Sequence, residues 1–198
     1  QITQESKKFL YKKVKHGARA AEFEEAMAWL IGCGLVHKIN RVTKPGLPLK
    51  AYGDTGAFKL FVLDVGLLCA MGGLTEKTLL EGDKIFMEFH GALAEQYVLQ
   101  QLKATSDASI FYWISKSHVA ELDFLIQLED HIIPVEVKAS TNLRAKSLKF
   151  YRDEFQPEKA VRLSLADYKI DGGLYNIPLY MAGKIENIVL ITRESSSF

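Results

Sequence analysis

Cysteine, long apolar runs and excess charge of one sign are all scarce in this chain of 198 residues. The two cysteines, Cys33 and Cys69, lie far apart and form no CxxC or Cys/His pattern, which argues against a disulfide framework and a structural zinc site. We expect both to be buried thiols in a reducing compartment. The most apolar stretch, residues 60–74, is interrupted by Asp64 and several glycines. With no leader-like segment at its start, the chain is predicted to be cytoplasmic and to have no membrane partner.

Formal charge is nearly balanced, since 25 Lys and Arg residues stand against 24 Asp and Glu residues. Its distribution is uneven: residues 1–50 hold ten basic and four acidic residues, and the rest of the chain has a net charge of −5. We therefore expect phosphate contacts near the front of the chain, and the candidate nucleic-acid-binding residues are Lys7, Lys8, Lys12, Lys13 and Lys15. A solvated helix face would have the same composition, and that alternative stays open.

The front of the chain is predicted to hold two helices, a two-stranded wing, one further strand and a short helical continuation through Val65, Leu67 and Leu68. The lysine-rich segment is the first helix. Apolar residues between Arg19 and Ile31 recur at amphipathic-helix spacing, and Gly32 or Gly34 would end that second helix. The elements after it are a strand, a turn, a returning strand and a third strand, at residues 35–42, 44–46, 47–52 and 58–63. Residues 1–74 are therefore predicted to form a small winged-helix-like α+β domain, with Asp64 as a helix cap.

A second domain is predicted over residues 75–198, because Gly72-Gly73 and the polar stretch 75–83 have the composition of a linker. Hydrophobic periodicity then predicts a helix, three strands, a helix and a strand, at residues 84–103, 110–115, 120–128, 132–138, 148–155 and 160–165. Ser140, Thr141 and Asn142 are candidate caps of the second of these helices. The order αβββαβ predicts an α/β core.

The candidate chemistry lies on two of these strands. Side chains alternate along a strand, so Glu136 and Lys138 project from one face and Val135 and Val137 from the other. If the strands pair about the turn at residues 129–131, Asp123 comes close to Glu136. Two carboxylates within reach of one ion are typical of Mg²⁺ sites, where waters and substrate phosphate complete the ligands.

Asp123, followed after a hairpin by Glu136-Val137-Lys138, resembles the PD-(D/E)xK nuclease superfamily. Longer stretches are similar to a C-terminal domain of unknown function in bacterial and archaeal AAA+-type ATPases, which is grouped with that superfamily. Those stretches are residues 91–98, 112–113, 121–124, 134–138, 146–148 and 177–180. Residues 29–30, 34–36 and 63–67 are similar to the winged-helix segment of such proteins.

The resemblance implies a restriction-endonuclease-like αβββαβ core and an Mg²⁺-dependent hydrolase of nucleic-acid phosphodiester bonds, with DNA as the expected substrate. By position, its catalytic residues would be Glu95, Asp123, Glu136 and Lys138, with Glu88 as a fallback for Glu95. Asp123, Glu136 and the carbonyl of Val137 would hold the metal. Glu95 would orient the attacking water, and Lys138 would position or activate that water.

The same resemblance implies an N-terminal ATP-binding AAA+ domain, yet the chain contains no G-x-x-x-x-G-K-[ST] phosphate loop. ATP is therefore expected only in a missing N-terminal part. Gln1 in place of a methionine likewise predicts a piece of a longer protein. Oligomerisation is compatible with this reading.

Three alternatives stay open. Glu136 and Lys138 are also typical of cross-strand ion pairs on an exposed sheet face. The same fold can serve as a catalytically inactive module that binds nucleic acid or protein and reports to the ATPase, or its acids can support only subunit contacts. We expect His118 and His131 to be surface residues, and Tyr112 and Trp113 to be core or interface aromatics.

Overall fold

The computed structural model describes residues 21–74 and 84–191, which form a mixed α/β fold. The α-helices in these ranges are α1 (Ala21–Gly32), α2 (Val65–Met71), α3 (Lys84–Thr105), α4 (Lys146–Phe155) and α5 (Ile185–Ile191). The strands are β1 (Val36–Val42), β2 (Gly53–Val62), β3 (Ser109–Ile114), β4 (Glu121–Leu128), β5 (His131–Val137), β6 (Ala160–Ser164), β7 (Lys169–Asp171) and β8 (Leu174–Pro178). Two 3-10 helices occupy Leu49–Tyr52 and Leu179–Lys184. Among the described helices, none has both the length and the apolar content needed to span a bilayer.

Three sequence predictions lie outside the described residues. They concern the helix with Lys7, Lys8, Lys12, Lys13 and Lys15, the linker at residues 75–83, and the side chain of Glu88.

The chain divides into two compact units. Unit 1 comprises residues 1–41 and 54–100, and unit 2 comprises residues 42–53 and 101–198. The units are interleaved along the sequence because most of β2 and most of α3 belong to unit 1. The predicted domains, 1–74 and 75–198, were drawn from composition and stay a prediction.

The predicted amphipathic helix is confirmed as α1 of unit 1. Its partly buried residues Met27, Leu30 and Ile31 pack against a cluster of buried residues formed by Val36, Phe58 and Leu60. Burial of this apolar stripe is what stabilises a helix of this length, since short isolated helices are marginal in water.

Glycine ends α1 as predicted. Gly34 has a φ of +77°, a backbone conformation that glycine adopts without a steric penalty and that lets the chain turn from α1 into β1. In this geometry the Leu35 N–H donates to the Leu30 carbonyl at 3.0 Å, and the Gly34 N–H donates to the Ile31 carbonyl at 3.0 Å. Both bonds satisfy carbonyls that the last helical turn leaves without partners.

The predicted returning strand of the wing, residues 47–52, is wrong. Leu49–Tyr52 is a 3-10 helix, and the next strand, β2, begins at Gly53. Pro48 has no N–H to donate to a ladder, and the Leu49 N–H donates instead to the side-chain oxygen of Gln127 at 2.8 Å. The strand that neighbours β1 in the sheet is β2, not residues 47–52, and the winged-helix domain stays a prediction.

A buried glutamine fastens α3 to β2 within unit 1. Gln96 is only 1% exposed, and its side chain accepts from the Val62 N–H at 3.1 Å and donates to the Val62 carbonyl at 2.8 Å. Gln100, one turn later, accepts from the Val65 N–H at 3.0 Å. The helix thus supplies hydrogen-bond partners to the backbone of the last residue of β2 and of the first residue of α2.

We expect Gln96→Ala to lower the free energy of unfolding by about 2–4 kcal/mol, because it leaves a buried N–H and a buried carbonyl of Val62 without partners. Chemical denaturation followed by circular dichroism measures the loss. Gln100→Ala is the matched control, and it should cost about 1 kcal/mol because a single partly buried bond is removed. Equal losses in the two variants would contradict a two-bond role for Gln96.

Strands β3 to β8 of unit 2 lie side by side in the order β3-β4-β5-β6-β8-β7. β3, β4 and β5 are antiparallel neighbours, β5, β6 and β8 are parallel, and β7 is antiparallel to β8. The predicted order of helix, three strands, helix and strand from residue 84 is confirmed, and α4 is the connection between the parallel strands β5 and β6. β7, β8 and α5 were not predicted.

The predicted caps of α4 are wrong. The residue at the cap position is Ala145, and it makes no side-chain capping bond. Ser140 accepts from the Asn142 N–H at 3.3 Å, and Asn142 accepts from the Arg144 N–H at 3.1 Å. These short polar side chains stabilise turns in the loop before the helix, which is the other common use of Ser and Asn.

The prediction of two buried cysteines is also wrong, because Cys33 is exposed and Cys69 is partly buried. Cys33 lies in the turn after α1. Cys69 lies on α2, where desolvation and, to a smaller extent, the Asp64 carboxylate raise the pKa of its thiol. Asp64 itself caps α2 as predicted, accepting from the Leu67 N–H at 2.7 Å.

We expect a maleimide or disulfide reagent at neutral pH to modify Cys33 first and Cys69 more slowly. The raised pKa lowers the thiolate fraction of Cys69 at any pH below it, and partial burial slows access. Mass spectrometry of timed samples distinguishes the sites, and Cys33→Ser should leave only the slow reaction. Faster labelling of Cys69 than of Cys33 would overturn this order.

Candidate functional site

Asp123 lies at an irregularity of β4 in unit 2. Phe111 of β3 is opposite Leu125, but Trp113 is opposite Leu122, so β4 has one residue more than β3 between these pairs. This is the pattern of a β-bulge, which re-aims side chains at the end of a regular ladder. The sequence signal for a strand over this segment gave no indication of the bulge.

The Asp123 carboxylate takes the place of a backbone acceptor. The regular pairs of β4 and β5 run from Leu128 and His131 to Phe124 and Val135. Beyond them, the Val137 N–H donates to Asp123 Oδ2 at 2.7 Å. The bond holds the carboxylate beside the Glu136-Val137-Lys138 segment, as the hairpin prediction required.

Glu136 is buried and ion-paired. It is 4% exposed, and its Oε1 lies 2.6 Å from Lys138 Nζ, whose side chain is 32% exposed. The pair links Glu136 of β5 to the residue that follows the strand, and Glu136 does not lie on an exposed sheet face, so the alternative of an exposed ion pair is wrong for this residue. A carboxylate this buried must be compensated by a nearby cation, which Lys138 provides.

Arg162 is a neighbour that the sequence analysis missed. It lies opposite Glu136 in the parallel pairing of β5 and β6. Burial lowers the pKa of Arg162, and the nearby Glu136 carboxylate opposes this by raising it. Its Nε donates to Asn176 Oδ1 at 3.1 Å, and one terminal nitrogen donates to the Leu143 carbonyl at 2.6 Å.

Asn176 completes a polar row across three parallel strands. It is 2% exposed, lies opposite Arg162 on β8, and donates to the Asp167 carbonyl at 2.6 Å. Its Oδ1 also accepts from Ser164 at 2.9 Å. Glu136, Arg162 and Asn176 each interrupt an otherwise apolar strand core, and that pattern is the signal that could have identified the row from sequence.

Glu95 belongs to unit 1, and its described ion pair is with Lys59 of β2, at 3.9 Å between Oε2 and Nζ. Lys59 is 2% exposed, so Glu95 supplies charge compensation to a buried ammonium. The role in water activation that the resemblance gave to Glu95 stays a prediction. Within unit 2, Asp123 accepts a hydrogen bond from Val137, and Glu136 forms an ion pair with Lys138.

The aromatic and histidine predictions have mixed outcomes. Tyr112 and Trp113 are core residues, at 0% and 3% exposure. His118 is exposed, as predicted. His131 is only partly exposed, with Asp130 at 3.2 Å and Glu158 at 3.9 Å from its ring nitrogens.

The oxygen atoms of Asp123, Glu136 and Val137 are of the kind that hard divalent cations prefer. Two carboxylates, of Asp123 and Glu136, flank Val137, and oxygen ligands are those that Mg²⁺ prefers. The N–H and C=O of one strand residue point to the same side, so the Val137 carbonyl is directed with its N–H toward β4. Within the described ranges no group of three or more His, Cys, Asp or Glu side chains could hold a metal. Any cation here would therefore depend on two carboxylates, a carbonyl, water and substrate.

Two family models match this chain. Residues 90–181 match a domain of unknown function, DUF4143, and residues 2–78 match another, DUF8612. The first match contains every residue of the Asp123 site and the polar row. A comparison with curated proteins finds no significant match.

Among solved structures, the crystal structure of protein VC1899 from Vibrio cholerae aligns with 96% of this chain at 13% identity and a TM-score of 0.32. This chain spans 47% of that protein. A TM-score this low carries no argument about fold or function. The comparisons therefore identify two domains of unknown function in the sequence, one of which includes the whole candidate site.

Proposed function

We propose that the β4–β5 hairpin carries a divalent-cation-dependent site that hydrolyses nucleic-acid phosphodiester bonds. The observation that supports it best is the bond between Asp123 Oδ2 and the Val137 N–H at 2.7 Å, which fixes an acid beside the Glu136–Lys138 pair. The resemblance of these residues to the PD-(D/E)xK superfamily supplies the reaction class.

In this proposal Asp123, Glu136 and the Val137 carbonyl would hold Mg²⁺, which would compensate the charge of the phosphate and lower the pKa of a bound water. The hydrogen bond from Val137 keeps Asp123 oriented before any ion binds, which lowers the entropic cost of assembling the site. Lys138 is the partly exposed member of its ion pair, so its ammonium can reach an incoming phosphate or water while Glu136 stays buried.

A second candidate is an inactive module that binds nucleic acid or protein. It is favoured by one observation, which is that the buried Glu136 already has Lys138 at 2.6 Å and Arg162 opposite it. A carboxylate whose charge is compensated inside the protein has less need of a metal. In either case the AAA+ ATPase partner is part of the proposal and rests on the sequence resemblance.

The deciding experiment incubates the purified chain with single- and double-stranded DNA and RNA in Mg²⁺, Mn²⁺ or EDTA. Cleavage that requires the divalent ion supports the hydrolase. Calorimetric titration with Mn²⁺ gives an independent measure of metal binding. Absence of both cleavage and metal binding would reject the hydrolase and favour the inactive module.

A further inference from the structure

A second feature of unit 2 is a cavity of about 260 Å³ between α4 and the neighbouring strands. Its lining includes three cationic side chains: Lys149 and Arg152 from α4, and Arg162 from β6. Apolar side chains, among them Leu148 and Leu174, form the rest, and among the described residues that line it none is acidic. A liquid water occupies about 30 Å³, so the cavity has room for a hydrated group of several heavy atoms.

The hydrogen bonds that position the two arginines do not cancel their charge, although Arg162 also has the carboxylate of Glu136 nearby on the neighbouring strand. Arg152 donates to the Gly172 carbonyl at 2.7 Å, and Arg162 donates to the Leu143 carbonyl and to Asn176. All of these acceptors are neutral oxygens. Lys149 is exposed, and it makes no ion pair within 4.0 Å in the part of the chain that the structure describes.

Arg162 connects the cavity to the candidate hydrolytic site. It lines the cavity and lies opposite Glu136 in the pairing of β6 with β5, and neighbouring strands are about 4.8 Å apart. An anion in the cavity would therefore lie about one strand away from the Glu136–Lys138 segment. Successive phosphates of one nucleic-acid strand can bridge such a distance.

We propose that the cavity formed by Lys149, Arg152 and Arg162 binds a backbone phosphate of a nucleic acid, adjacent to the phosphodiester that the Asp123 site cleaves. The assignment of the ligand to nucleic acid rests on the proposed function. Guanidinium groups suit phosphate because their planar donors match its oxygens, and the low-dielectric walls strengthen the attraction. The phosphate sets the register of the strand, since such contacts position a nucleic acid without reading its sequence.

The test measures binding of fluorescein-labelled single- and double-stranded DNA to the full chain by anisotropy, in EDTA and over a range of salt concentrations. Lys149→Gln is the primary variant, because the Lys149 side chain makes none of the described hydrogen bonds and its loss should not affect folding. Lys149→Gln/Arg152→Gln removes both helix cations. Lys146→Gln is the matched control, since Lys146 is an exposed lysine of the same helix that does not line the cavity.

We expect the double variant to bind DNA about tenfold more weakly, with a log–log salt slope shallower by about 1–2, and Lys146→Gln to bind like the parent chain. An equal loss in Lys146→Gln, or no loss in either variant, would overturn the proposal. Inorganic phosphate is the second probe, and its binding is measured as a rise in the melting temperature. If the double variant lost this rise but bound DNA like the parent chain, the nucleic-acid assignment would also be rejected. Because EDTA removes divalent ions, weaker binding by the double variant supports the cavity even where the hydrolase proposal fails.

Discussion

Lys138→Ala is expected to lower the rate of Mg²⁺-dependent cleavage by about 10³-fold, within the range that a positioned acid–base group contributes. Its ammonium is the partly exposed end of a 2.6 Å pair with Glu136, so under the proposed function it is the group that would contact the phosphate. The measurement is single-turnover cleavage of a labelled duplex at saturating protein. A thermal melt is the check that the variant still folds, because the buried Glu136 loses its partner.

Asp123→Asn extends the same experiment. Asparagine keeps an oxygen that accepts from the Val137 N–H, so the variant removes charge while preserving the 2.7 Å bond. We expect a loss of cleavage as large as that of Lys138→Ala, together with weaker Mn²⁺ binding, because hard cations need the carboxylate charge. Glu121→Gln is the control, since Glu121 is another partly buried acid of β4. Cleavage that survives both Lys138→Ala and Asp123→Asn would exclude this hairpin as the site.

The largest effect on stability is expected from Trp113→Ala, which should lower the free energy of unfolding by about 3–5 kcal/mol. Trp113 is 3% exposed and makes edge-to-face contacts with Tyr151 and Phe155, at centroid distances of 5.1 and 5.6 Å. These contacts fasten α4 to the sheet. Replacement leaves a cavity that the surrounding aromatic rings cannot fill without moving.

Phe150→Ala is the control for Trp113→Ala. Phe150 contacts Trp113 at 6.3 Å but is 38% exposed, so its loss should cost about 1 kcal/mol. Urea denaturation followed by tryptophan fluorescence for Phe150→Ala, and by circular dichroism for both variants, gives the values. If Trp113→Ala cost no more than Phe150→Ala, this aromatic cluster would not be a major source of stability.

The β4–β5 hairpin was predictable because its apolar alternation and short charged turn are local signals. Leu128 and His131 pair across that turn, and Glu129 has a φ of +52°, as tight turns require. The sequence also placed Asp123 and Glu136 near one another, but it could not reveal the bulge. A bulge depends on how β3 pairs with β4, which is a long-range property.

Tertiary contacts account for the other differences. Residues 47–52 have strand-like composition, yet the Leu49 N–H is satisfied by the side chain of Gln127, which lies 78 residues later in the sequence. Arg162 acquires significance only when parallel pairing brings it opposite Glu136. Neither contact can be predicted from hydrophobic periodicity, which is read over segments of about ten to fifteen residues.

The Asp123–Val137 bond has a consequence for the order of folding. Its two residues are only 14 apart in sequence, so the hairpin that joins them closes at small entropic cost, on the microsecond timescale typical of hairpins. Arg162 comes to lie opposite Glu136 only through the parallel pairing of β5 with β6, which is slower because its residues are farther apart in sequence. We therefore expect the two acids and Lys138 to assemble first, so that in a nascent chain Glu136 is paired with Lys138 before Arg162 comes to lie opposite it.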